Sequence, residues 1–387
     1  MIFMNKKRKP KRRIRKSILV FLVGCIVCVV AAVLGPGYIT KRNLKKLGYD
    51  SSTIDNIITQ DLQDDILSHS YYSQYLADVI NDGTLQRDYM YLYTVLDADR
   101  KLEAKDLLLY NRLVDRGYET DQMVNLYQNL TFSELTPLLV YEYQWNEQQY
   151  INDVIANREA SASGTFTLSE QYITWYRITE TIENPDANVL INQTYLLDAS
   201  YVPSDLTPLS NEHAVAGVQL CSDAAEAFSK LSIASVEENH SLYASAGYID
   251  YAAQKSAYEY YVNHMGAYSA DYYTERPGSS EHQSGMAVNI ALTYENTDDM
   301  IHTETYAWLK EKAASYGFII RYPSEKAAIT GRNEPEHLRY VGKDLAKKIS
   351  ASSLSYDEYY LLYMAPWENE SLIPSTAITS MTDYQES

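Results

Sequence analysis

Ser280-Glu281-His282-Gln283-Ser284-Gly285-Met286-Ala287-Val288-Asn289 and Asn333-Glu334-Pro335-Glu336-His337-Leu338-Arg339-Tyr340-Val341-Gly342 hold two of the chain's seven histidines, the two in informative settings. Met286 to Leu292 alternates apolar and small or polar residues at the period of a strand. In the second stretch a carboxylate stands three residues before a histidine on an extended segment. That arrangement suits a metal ligand with a general base beside it: the metal acidifies a bound water and the carboxylate takes its proton. Two histidines in 387 residues do not define a site by themselves.

Taken together, the stretches resemble the zinc D-alanyl-D-alanine carboxypeptidases of the VanY type. That family carries S-x-H-x-x-G-x-A-x-D followed by E-P-W-H-x-R-Y-V-G. The chain matches at Ser280, His282, Gly285 and Ala287, then at Glu334, Pro335, His337, Arg339, Tyr340, Val341 and Gly342. The flanks agree as well: Arg276-Pro277-Gly278, Gly317-Phe318-Ile319-Ile320-Arg321-Tyr322-Pro323, Lys326 and Thr330-Gly331. The similarity spans residues 185 to 365. It implies that His282, His337 and the residue at 289 converge to hold zinc, with Glu334 as the base. It also implies that Ser280, Tyr248, Gln254 and Arg339 face the substrate, a peptidoglycan stem peptide.

Three positions depart from the family pattern. The acidic zinc ligand is Asn289, which brings an oxygen but no charge. Zinc sites are built from Cys, His and carboxylate, so weak zinc binding is expected, and Asn289→Asp is expected to tighten it. The arginine that grips the substrate carboxylate is Ile249, in Ala246-Gly247-Tyr248-Ile249. The Trp of E-P-W-H is Glu336, which on an extended segment points away from the face of His337. Glu281 is ordinary for the family and is expected to compensate for nothing. Three readings follow: an active zinc metallopeptidase, a non-catalytic relative that binds wall peptide or a partner, and a structural protein whose helical part does the work.

The expected fold of 185–365 is α+β, a mixed or antiparallel sheet with flanking helices. Its strands are read over Asn188–Leu197, Ser241–Ala246, Met286–Leu292, Phe318–Tyr322 and His337–Val341. Its helices are read over Ala214–Ala234, Asp250–Met265 and Thr303–Tyr316, with a polar loop from Gly266 to Gln283. Upstream, 41–180 reads as a helical repeat region. Leu47-Gly48-Tyr49-Asp50 with Ile54, Ile57 and Ile66 recurs as Arg116-Gly117-Tyr118-Glu119 with Met123, Leu126 and Leu135, and repeated units bury their faces on neighbours. Residues 159–168 read as a linker, and 366–387 as a C-terminal tail.

The first 16 residues hold nine Lys or Arg and no acid, which leaves 24 basic residues against 51 acidic ones in the rest. So acidic a body argues against nucleic-acid binding, which needs clustered cations. Residues 17–40 carry no charge and are long enough to span a bilayer. The preceding cations place the N-terminus in the cytoplasm and the body outside. The expectation is an uncleaved, single-pass signal anchor in the cell membrane. Cys25 and Cys28 then fall in the span, and Cys221 has no thiol partner outside it. Hydrophobic residues at 46% and charged residues at 22% exclude wholesale disorder.

Overall fold

The computed structural model describes residues 37–96, 102–140, 147–160, 179–182 and 185–373. The chain divides into two units, 1–101 and 102–387, so the boundary falls inside the region expected as one helical block. Of the expected membrane span, residues 17–36 lie outside the described residues. Among the described residues no helix is long and apolar enough to cross a membrane.

In the first unit α1 covers 37–47 and is followed by α2 (Ser51–Thr59), α3 (Gln63–His69), α4 (Gln74–Asp82) and α5 (Met90–Val95). After α1 the chain turns at Gly48, where φ is +123°. Asp50 then caps α2 by accepting from the Thr53 N–H. The second unit opens with the same device. α6 (Ala104–Asp115) gives way to Gly117 at φ +89°, and Glu119 caps α7 (Thr120–Asn129) in a capping box with Gln122. Ile54, Ile57 and Ile66 are buried in the first unit, and Met123, Leu126 and Leu135 in the second. The sequence repeat is therefore a repeated helix, glycine, acidic cap and helix. α8 (Phe132–Leu135), α9 (Pro137–Val140) and α10 (Glu147–Ala160) follow.

Downstream, β1 (Glu180–Ile182) pairs in parallel with β2 (Tyr195–Leu197), and β3 (Leu206–Pro208) pairs antiparallel with β4 (Gln219–Cys221). The main sheet holds β5 (Leu242–Ala246), β6 (Ala287–Leu292), β7 (Phe318–Tyr322) and β8 (Glu334–Tyr340) in the order β5-β6-β8-β7, every neighbour antiparallel. The α+β architecture agrees with the expectation; among the described residues the parallel β1–β2 pair lies outside the main sheet, and a single parallel bridge joins Ala214 to Ala244 of β5.

Several boundaries differ from the sequence reading. The strand expected over Asn188–Leu197 shrinks to β2. Asp186 Oδ1 accepts from the Asn188 N–H, and Asn192 Oδ1 accepts from the Thr194 and Tyr195 N–H groups; such Asx turns draw backbone donors away from a ladder. The helix expected from Ala214 starts at Ser222 (α11, Ser222–Glu237), because Gln219–Cys221 pairs with β3. α12 (Tyr251–Met265) is capped by Asp250. The polar loop after it contains α13 (Ala267–Tyr273) and a 3-10 turn, Glu281–Ser284. Thr303 caps α14 (Glu304–Lys312), and α15–α17 are Ala327–Thr330, Lys343–Ser352 and Tyr356–Tyr359. β8 begins three residues before His337. Residues 366–373, expected in a separate tail, dock on α6: Arg112 donates to the Pro366 carbonyl and Asn111 to that of Leu372.

Val288, Ile290 and Leu292 of β6 pack with Leu338, Phe318, Phe228, Leu231 and Leu309 in one apolar core. Ala287 and Asn289 alternate to the opposite face, and their cross-strand partners there are Arg339 and His337. The sheet thus has a core face and a site face.

Candidate active site

Asn289 on β6 lies directly opposite His337 on β8. Such antiparallel partners share a face, with Cβ atoms about 4.5–5.5 Å apart. His282 sits on the 3-10 turn that enters β6 through Gly285, and its ring centroid is 4.8 Å from that of His337. Glu334 would alternate away from His337 in a regular strand, being three residues distant. A register shift intervenes: Ile320 and Tyr322 on β7 face Leu338 and Glu334 on β8, so β8 carries two extra residues. Pro335 lies within the shift, where its missing N–H is tolerated. Glu334 Oε2 consequently comes within 3.6 Å of His337 Nδ1. The structure brings His282, Asn289, Glu334 and His337 together although 55 residues separate the histidines.

A buried ionic cluster backs the site. Glu281 is fully enclosed; Oε1 accepts from Arg321 Nε at 2.7 Å and lies 3.7 Å from Arg339 Nη1, while Oε2 lies 3.5 Å from His337 Nε2. Burial opposes its charge, but Arg321 and then Arg339 outweigh burial and hold the carboxyl well below the usual carboxylate range. Glu281, expected to compensate for nothing, thus sets an anion against the far nitrogen of His337. Burial, and then the neighbouring His337, push the His282 imidazole down to about 4. It is neutral at pH 7, the form that ligates metals.

The other sequence-identified positions fall in different settings. The Ser280 hydroxyl is buried and has no hydrogen-bond partner among the described residues. Ile249 adjoins the cleft through its N–H to the His282 carbonyl, 3.3 Å, and offers no cation there. Gln254 is buried, and its Nε2 holds Thr274 Oγ1 and the Glu275 carbonyl. Arg339, read as substrate-facing, is fully buried and donates to Ser284 Oγ and the Ala187 carbonyl; packing puts it beneath the site, out of a substrate's reach. Tyr248 is partly exposed.

Two charged residues at the site were not singled out from the sequence. Arg332 Nη1 donates to Glu334 Oε1 at 3.0 Å, and Arg332 Nε lies 3.3 Å from Glu275 Oε1. A signal existed for Arg332, since a residue two before Glu334 on an extended segment shares its face. None existed for Glu275, which stands in a loop. Tyr322 also faces His337, with centroids 5.0 Å apart.

Two of the three side chains expected to hold zinc keep an open donor atom. His282 Nδ1 and Asn289 Oδ1 are buried without a hydrogen-bond partner among the described residues, which polar atoms rarely tolerate without a ligand or water. Two imidazoles and an amide oxygen include no carboxylate, so no anionic ligand in this set offsets the ion's charge. Accordingly, among the described residues no three His, Cys, Asp or Glu side chains gather to hold a metal.

The fold and cleft define an α+β peptidase-like domain with paired imidazoles beside a carboxylate. The family model D-alanyl-D-alanine carboxypeptidase, VanY, matches residues 217–343. A Bacillus subtilis (strain 168) protein named "Putative carboxypeptidase YodJ" is 34% identical over 232 residues, 57% of this chain and 84% of the relative. The chain belongs to the VanY family of D-alanyl-D-alanine carboxypeptidases. Among solved structures, the LdcB LD-carboxypeptidase is 37% identical with a TM-score of 0.44, covering 47% of this chain and 89% of that one. A VanY D,D-pentapeptidase solved with Zn(II) is 31% identical with a TM-score of 0.38, covering 45% and 98%.

Proposed function

We propose that this chain is a membrane-anchored, outward-facing carboxypeptidase that removes the terminal D-alanine from peptidoglycan stem peptides. The observation that supports it most is the 4.8 Å approach of His282 and His337 with Glu334 Oε2 3.6 Å from His337. Zinc held by His282, His337 and Asn289 would supply Lewis-acid chemistry and an acidified water. Arg332 fixes Oε1 of Glu334 and leaves Oε2 on the imidazole side, where it accepts the proton of the attacking water and returns it to the leaving amine. Glu281 orients His337 from behind. The test is cleavage of a peptide ending in D-Ala-D-Ala by the full-length chain, with zinc content measured alongside. Glu334→Gln should lower turnover by about 10²–10⁴-fold and leave zinc content unchanged; wild-type protein that holds zinc but releases no D-alanine would sink the proposal.

A second reading, a non-catalytic wall-peptide binder, is favoured by Asn289 and Ile249: one removes a ligand charge and the other the guanidinium that a terminal carboxylate wants. Binding of that peptide without cleavage would establish it. The anchor rests on the nine-cation tail followed by uncharged residues 17–40. External protease on intact, wall-stripped cells should digest the body; a body protected until lysis would contradict the topology.

A further inference from the structure

We infer that the helical hairpin α12–α13 is a saccharide-binding surface, and that its ligand is the N-acetylated amino-sugar strand from which the stem peptide hangs. The choice of that strand rests on the wall-peptide reading above; the surface itself is argued from the hairpin alone. Seven of the chain's 37 tyrosines fall within residues 251–273. They do not build a core, because Gln254 is the buried residue of α12 and Ala270 that of α13. Tyr268, Tyr272 and Tyr273 are 87%, 82% and 60% exposed. A surface helix ordinarily turns its apolar face to the core; here the rings are left to solvent. Contiguous exposed patches of this kind mark interaction sites.

The rings form one continuous row. Tyr261 of α12 and Tyr273 of α13 stack 6.0 Å apart with planes 8° from parallel, and Tyr272 meets Tyr273 edge-on at 5.4 Å. Tyr258, three residues before Tyr261, is its neighbour on the helix surface. With Tyr251, Lys255, Asn263 and Pro277 it lines a cavity of about 410 Å³, within the range of small-ligand clefts, about 300–1,000 Å³. The hairpin adjoins the candidate active site: the Ile249 N–H, just before α12, donates to the His282 carbonyl, and Pro277 leads into the first histidine motif. A pyranose ring has an apolar C–H face and a hydroxyl rim. Tyrosine offers the match, a flat apolar face with a hydrogen-bonding tip, and Asn263 adds an amide for an acetamido group. Charge narrows the choice. Lys255 is matched by Glu259 at 3.8 Å and Arg276 by Asp271 at 2.6 Å, while Glu275 lies 3.3 Å from Arg332. The surface therefore has no cation cluster of the kind a phosphate-rich polymer or an anionic lipid surface needs. Residues 251–273 also contain no Leu, Ile, Phe or Trp, whereas permanent protein interfaces are strongly apolar.

The test is calorimetric titration of the full-length chain with the tetramer of N-acetylglucosamine, run without added metal so that it reads the surface and not the cleft. Wild type should bind the tetramer. Tyr272→Ala and Tyr273→Ala should each weaken binding by about 3–10-fold, with thermal unfolding unchanged. Tyr272→Phe and Tyr273→Phe keep the ring and should stay within about 2-fold of wild type. Wild type that binds no tetramer overturns the inference, as do Ala variants that bind like wild type or Phe variants as weak as the Ala ones. Self-association, or adsorption to phosphatidylglycerol vesicles, that the Ala variants lose while no saccharide binds would assign the surface to a second copy or to lipid and overturn it equally. Cleavage of a short free peptide ending in D-Ala-D-Ala is measured on the same proteins. Saccharide binding without cleavage in wild type keeps this surface and defeats the catalytic reading; cleavage without saccharide binding does the reverse.

Discussion

Glu281 shows how much one side chain can organise. It lies in the first motif, so its position was legible, but its work was not. It is fully buried with Arg321, Arg339 and Asp357, and Arg321 joins it to Asp357, 76 residues further along the chain. Removing one member of such a cluster leaves an uncompensated buried charge. Glu281→Gln should therefore cost about 3–5 kcal/mol of folding stability, read from urea unfolding; a loss below about 1 kcal/mol would refute the assignment. The pH dependence follows in sign. The folded carboxyl titrates below its unfolded value of about 4.3, so its contribution is complete above that value and is lost as pH falls through the more acidic range. The variant should lose less stability than wild type over that acid limb. His282 and His337 were legible because their motifs are local. Arg332 was legible in principle, two residues before Glu334 on an extended segment; Glu275 was not, because nothing in a loop residue's neighbours says which guanidinium will reach it.

At the scale of elements, the turn into β6 sets the site's geometry. Gly285 has φ +71°, a left-handed conformation, and a Cβ there would lie 2.8 Å from Cys221 Sγ and 3.2 Å from Leu206 Cδ2. Its carbonyl also accepts from the Cys221 N–H at 2.8 Å. Gly285→Ala combines backbone strain with a clash against buried atoms, and should cost about 2–5 kcal/mol. Gly217 has φ +90° with nothing within 4 Å; Gly217→Ala carries the backbone strain alone and should cost about 1–2 kcal/mol. Equal thermal shifts in the two variants would show that the close approach is immaterial. Strand β6 was legible from its alternation, and the starts of α12 and α14 were placed within one residue. The register shift at Pro335 was not, since it depends on which residues of β7 the strand meets.

At the scale of the molecule, Arg112 ties α6 to the segment 362–367, where it donates to the carbonyls of Leu362, Ala365 and Pro366. Besides its three carbonyl partners, its guanidinium lies 3.7 Å from the Trp367 ring centroid. Nearby, Asn111 donates to the Leu372 carbonyl, and Thr136 Oγ1 donates to Glu358 Oε1 at 2.5 Å. Residues 102–160 and 185–373 should therefore unfold together. Arg112→Ala strands one buried and two partly buried carbonyls and removes the cation–π contact; a loss of about 1–3 kcal/mol is expected, with a single transition retained in 102–387. A variant in which the peptidase portion unfolds as in wild type while the helices melt separately would disprove the coupling.

The sequence alone determined what local pattern can encode. It specified the two motifs, the alternation of β6, the repeated glycine and acidic cap, and through them the family. Each rests on residues within a few positions of one another, where periodicity and turn chemistry act directly. Tertiary structure alone decided that the helices after residue 102 join the peptidase unit, that Arg339 lies beneath the site, and that Arg332 joins Glu275 to Glu334 beside His337. An amphipathic helix or a buried charge announces that it needs a partner, and only the packing of distant segments selects which one.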